Sequence, residues 1–83
     1  MLSTLAISAV LGSSVQHRPI ELFHVPGPGP RVLVVGCIHG DECAGLAVVA
    51  ALRRTHPHED LWLVPTFNPD GVAHRTRQPG FLE

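Results

Sequence analysis

Eighty-three residues suffice for one small domain, and a chain of this size buries only about 60–65% of its unfolded surface. Six basic residues, all of them arginine, against seven acidic ones form no basic cluster, which argues against nucleic acid or an anionic membrane as partner. Two cysteines, Cys37 and Cys43, are too few for a disulfide scaffold and are not spaced as CxxC, so they read as buried, inert thiols.

The opening stretch, MLSTLAISAVLGSS, has the apolar core of a short signal peptide without its positively charged start. It is also shorter than the roughly 20 apolar residues that cross a bilayer, so no membrane span is expected, and the cytoplasm is favoured over export. Residues 4–11 read equally as a first strand or a helical turn. Ile20 to Val25, apolar at 20, 22, 23 and 25, predicts a strand with one mostly buried face. Pro26-Gly-Pro-Gly-Pro30 stops any regular element and predicts a hairpin-type connection. Arg31 to Gly36, with four apolar residues in succession, predicts a strand inside a parallel sheet covered by helices.

From Asp41 or Glu42 to Thr55 the residues predict a helix, with Asp41 as N-cap and His56-Pro57 as stop signal. It is apolar on nearly every side, so more protein than 83 residues supply is expected to cover it. Leu61 to Phe67 predicts a second buried strand weakened at Pro65, and Asn68-Pro69-Asp70-Gly71 a turn. Strand, helix and strand in this order make a right-handed βαβ unit, so the predicted class is α/β with a partial, mostly parallel sheet.

In an open α/β sheet, ligands bind outside the carboxyl ends of the strands. The HGDE and NPDG turns fall at such ends and, if their strands are parallel, on one edge. His39 and Glu42, three apart, carry donor types common at zinc, and a catalytic zinc takes three protein ligands and leaves a position for water. The pair is weak by itself, since a carboxylate near a helix start is favoured by the helix dipole without any metal. His74, just past NPDG, could approach the same ion. His56 and His58 read as solvated loop residues, and His17 and His24 as a loop and a polar-face strand residue. Neither a phosphate-binding G-x-x-x-x-G-K-[ST] loop nor a G-x-S-x-G elbow is present.

Four segments taken together resemble a known pattern. Gly12 to Ile20 resembles a G-x-S-x-x-G-R-P-I strand motif, with His17 where glycine is usual. Gly36 to Glu42 resembles a zinc-binding turn, Asn68 to Gly71 the next strand-end turn, and His74-Arg75-Thr76-Arg77 a basic segment. In this order they resemble the start of a zinc carboxypeptidase of the carboxypeptidase A/B superfamily, in particular its bacterial branch with the murein-peptide amidases. The resemblance implies a phosphorylase/hydrolase-like fold and zinc-dependent hydrolysis of a peptide or amide bond, with a peptide, such as a cell-wall peptide, as substrate. It makes His39 and Glu42 two of the zinc ligands in a His₂Glu set. It makes Arg77 the catalytic arginine that stabilises the oxyanion, and Arg75 the alternative match and a substrate-binding candidate. The pattern departs after Gln78: Pro79-Gly-Phe-Leu-Glu83 stands where a D-L-N-R-N-F-type segment is usual. The second zinc histidine, the substrate-binding Asn-Arg pair and the catalytic glutamate have no match. The chain is therefore expected to be a single incomplete domain over 1–83, an N-terminal fragment inactive by itself. The alternative reading is a non-catalytic module that binds metal or a partner through the same edge.

Overall fold

The computed structural model describes residues 6–77. The first residues of the signal-like opening and the Pro79–Glu83 departure lie outside the described residues. In chain order the elements are β1 (Ile7–Ser13), β2 (Pro19–Val25), β3 (Arg31–Val35), α1 (Gly45–Leu52), β4 (Asp60–Val64) and α2 (Pro69–His74). The strands form one sheet in the order β1-β2-β4-β3.

The sheet is mixed and mostly antiparallel, which corrects the mostly parallel expectation. β1 and β2 form an antiparallel hairpin around Ser14–Arg18, β2 pairs antiparallel with β4, and β3 alone runs parallel to its partner, β4. The physical reason is that only the β3-α1-β4 segment has the long crossover that parallel pairing needs. The proline-glycine segment is likewise no hairpin turn. It carries the chain past the position that β4 fills, and it is fastened to the segment before β4 by the Gly29 amide donating to the His58 carbonyl (2.6 Å). The start of β4 is held from both sides. Asp60 accepts from His24 Nε2 (2.6 Å), Trp62 Nε1 (3.0 Å) and the Gly27 amide (3.2 Å).

Alternation along the strands sends Phe23, Val25, Leu61 and Leu63 to one face, where Val49 of α1 completes the core with Val34, Leu52 and Ala6 beside it. Arg53, at the end of α1, lays its guanidinium over the Phe23 ring, 3.8 Å from its centroid, and so covers an apolar edge with a charge that stays wet. The opposite face is open among the described residues. Leu22, Leu33, Val35, Trp62 and Val64 line a groove there with Leu11 and Phe67, and Leu33 is 64% exposed. Among the described residues β3 is thus an edge strand and not an interior one. Covering of α1 also falls short among the described residues, since Leu46 and Val48 stay exposed.

The helix starts later than its composition suggests. Asp41 does not cap it: residues 39–44 stay in turns, closed by the Glu42 amide donating to His39 O and the Leu46 amide to Cys43 O (both 3.0 Å), and Ala44 is the N-cap. NPDG proves to be a helix start as well as a bend. Asn68 Oδ1 accepts from the Gly71 amide (2.9 Å) and Pro69 takes the first helical position, where its missing N–H costs nothing.

His17 explains its own oddity within the G-x-S-x-x-G-R-P-I resemblance. It sits at φ 64°, in the left-handed region that glycine enters without a Cβ penalty. His17→Gly should therefore stabilise the chain by about 0.5–1 kcal/mol, read as a rise in the denaturant midpoint at unchanged slope.

Candidate metal centre

β3 and β4 end together, and backbone hydrogen bonds continue the pairing past them. The Gly36 amide donates to Val64 O (2.8 Å), the Phe67 amide to Gly36 O (2.9 Å) and the Asn68 amide to Cys37 O (3.0 Å). These bonds set the HGDE and NPDG turns side by side, as parallel strands require. Gly40 then packs directly on the Gly71–Val72 backbone, so close that a Cβ at residue 40 would overlap it.

His39 is half-buried, and its Nδ1 is buried without a hydrogen-bond partner among the described residues. An orphaned ring nitrogen of this kind is costly unless something fills its lone pair or takes its proton. His39 and Glu42 line one cavity of about 250 Å³ together with Cys37. On its other side His39 borders a cavity of about 430 Å³, shared with Ser14, Asn68, Asp70 and Arg77. The pair therefore shares one cavity and offers donor types that a metal ion takes. Among the described residues no group of three His, Cys, Asp or Glu side chains stands ready to hold an ion.

Arg77 reaches this edge, where its Nη1 contacts Glu42 Oε1 and lies 3.9 Å from Asp41 Oδ1. The guanidinium thus lies against a candidate ligand, beside the cavity it borders. Arg75 is placed differently, at the left-handed C-cap of α2 (φ 55°), and it lines neither cavity. His74 is exposed, and its Nε2 lies 2.9 Å from Gln16 Oε1.

Two features were not foreseen. The cysteines are not free thiols but a disulfide, with Cα atoms 4.7 Å apart, that closes a ring around His39 and Glu42. Both lie in one glycine-rich turn, which was the available signal. The second is Asp70, which is 2% exposed. It accepts from Ser14 Oγ (2.5 Å), Arg18 Nη1 (3.0 Å) and the Gln16 amide (3.1 Å), and so pins the β1–β2 turn against the NPDG turn. Burial pushes the Asp70 carboxyl up, but the Ser14, Arg18 and Gln16 hydrogen bonds and the Arg18 charge outweigh it and hold it below the usual range. The Asp60 carboxyl is also lowered, first by its hydrogen bond with His24 and then by that with Trp62.

The architecture can be set beside known structures. A protein from Shewanella amazonensis SB2B assigned as a metallopeptidase superposes over 92% of this chain with a TM-score of 0.72 and 26% identity. A succinylglutamate desuccinylase/aspartoacylase from Rhodobacter sphaeroides does so over 89%, with a TM-score of 0.68 and 26% identity. A metallo-carboxypeptidase from Burkholderia cenocepacia does so over 88%, with a TM-score of 0.68 and 23% identity.

The chain shares a carboxypeptidase-like fold.

It spans 31%, 26% and 25% of those three chains, respectively. No protein-family model and no curated protein matches the sequence. The names of these structures are those of hydrolases, and two of them name a metal enzyme. Among the described residues no helix is long and apolar enough to cross a membrane.

Proposed function

We propose that this chain supplies part of the catalytic edge of a zinc-dependent hydrolase acting on a peptide or amide bond. The observation that carries the reading is the Nδ1 of His39, buried and without a hydrogen-bond partner among the described residues, on a cavity shared with Glu42 where two parallel strands end. His39 and Glu42 would hold the ion, which when bound supplies Lewis-acid polarisation and an activated water. Arg77 brings a permanent positive charge to the same edge, suited to a carbonyl oxygen that gains negative charge. The larger cavity, between residues 13–15, 38–39 and 67–70, would receive the substrate. A murein-type peptide remains the substrate suggested by the sequence resemblance. The 83-residue chain is proposed to lack activity by itself, because two protein donors hold an ion too weakly and leave its surroundings incomplete.

Zinc titration against a chromophoric chelator tests the metal pair. The disulfide form should bind zinc weakly, and His39→Ala should weaken it further by roughly tenfold or more. Equal affinity in wild type and His39→Ala would remove the pair from the account.

A further inference from the structure

The Cys37–Cys43 disulfide brackets the proposed metal donors, and one of its two residues, Cys37, lines their cavity. Cys37 is 3% exposed and lines the 250 Å³ cavity with His39 and Glu42, whereas Cys43 is more accessible and its Sγ lies 3.9 Å from Gly40 O. We infer that reduction of this disulfide creates a three-donor site for a divalent cation, formed by the Cys37 thiolate, His39 and Glu42. The inference rests on the reading of His39 and Glu42 as metal donors.

The chemistry balances with a dithiol as reductant. Its thiolate attacks Cys43 Sγ, on the more exposed of the two residues, and the S–S electron pair leaves on Cys37 as a thiolate. The dithiol's second sulfur then closes on the mixed disulfide, so the reductant is oxidised and Cys43 is released as a thiol after taking up a proton. That thiol has the Gly40 carbonyl at hand as an acceptor. The Cys37 sulfur keeps its electron pair for the ion, and any proton it has gained passes to solvent when the ion binds. Sulfur, imidazole nitrogen and carboxylate oxygen are all zinc donors, and three of them leave the fourth position open. Oxidation consumes the sulfur donor in the S–S bond and returns the site to two donors. The same turn is therefore a weak metal pair when oxidised and a complete three-donor set when reduced.

Cobalt(II) is the probe, because cobalt–thiolate bonds give a sulfur-to-metal charge-transfer absorption that nitrogen and oxygen donors do not. The full chain is titrated with cobalt, then with zinc in competition, before and after dithiol reduction. Reduction should bring the absorption and tighten binding roughly tenfold or more. Cys43→Ser should show the band without reductant, Cys37→Ser should lack it under all conditions, and His39→Ala should weaken the reduced site. The reduced wild type needs no substitution, so it decides the matter even if a variant folds poorly. Absence of the band from the reduced wild type, or its persistence in Cys37→Ser, overturns the inference. If the disulfide form binds cobalt through His39 and reduction changes nothing, the inference fails while the metal pair stands. If neither form binds cobalt, both fail.

Discussion

Gly40→Ala should lower the melting temperature by roughly 5–20 °C, from about 1–3 kcal/mol of overpacking at about 4–8 °C per kcal/mol in a domain this small. The added Cβ would meet backbone atoms of Gly71 and Val72, which no rotamer change can move aside. Relief requires the His39 turn to lift away from the NPDG turn. Gly45→Ala is the matched control. Its Cβ would have only Gly36 Cα, at 3.6 Å, as a close neighbour, and alanine at the first turn of α1 should be neutral or gain up to about 1 kcal/mol. Thermal melts followed by circular dichroism separate the two, and equal melting temperatures would show that the turns are not held by this contact.

Asp70→Asn should be comparably damaging at neutral pH, with a melting temperature lower by roughly 10 °C or more. It removes the charge that holds Ser14, the Gln16 amide and Arg18 on one buried oxygen pair. The pH dependence follows from the same contacts. Asp70 and Asp60 titrate lower in the folded chain than in the unfolded one. Their stabilisation is therefore fully present above the unfolded value of about 3.9, and it is lost as the pH falls through the folded values. Wild type should lose stability steeply with acid below about pH 4, Asp70→Asn less steeply, and the Asp60→Asn/Asp70→Asn pair least. An acid limb unchanged in Asp70→Asn would place the titrating groups elsewhere. Denaturant midpoints from pH 2.5 to 7 make the measurement.

Much of this edge could be read from the residues. The apolar runs located β2, β3 and β4 to within a few residues, and the parallel relation of β3 to β4 followed from the helix between them. That relation alone put His39, Glu42 and NPDG on one edge. What could not be read was partnership at long range. Nothing local tells β2 that its neighbour will be β4, and that choice makes the sheet mostly antiparallel. Nor does spacing disclose that Asp70 meets Ser14 and Arg18 more than fifty positions away. The cysteines misled for a related reason. Six residues apart in a straight segment they could not meet, but the turns at 39–44 fold the chain back and bring them together. The apolar run of β3 predicted burial on both faces, yet hydrophobicity reports what a strand would tolerate and not what is there to cover it.

The placement of β4 also sets the order in which the molecule comes apart. The β1–β2 hairpin closes over a short turn and can form locally, but both remaining pairings, β2 with β4 and β3 with β4, run through one five-residue strand. That strand carries Leu61, Leu63 and Val64, all buried, and its far end is bonded to the turn that bears His39. Amide exchange should accordingly be slowest along β4 and fastest in β1. An opening that frees β4 leaves a hairpin and a loose helix, with no sheet between them and no edge on which two strand ends can meet.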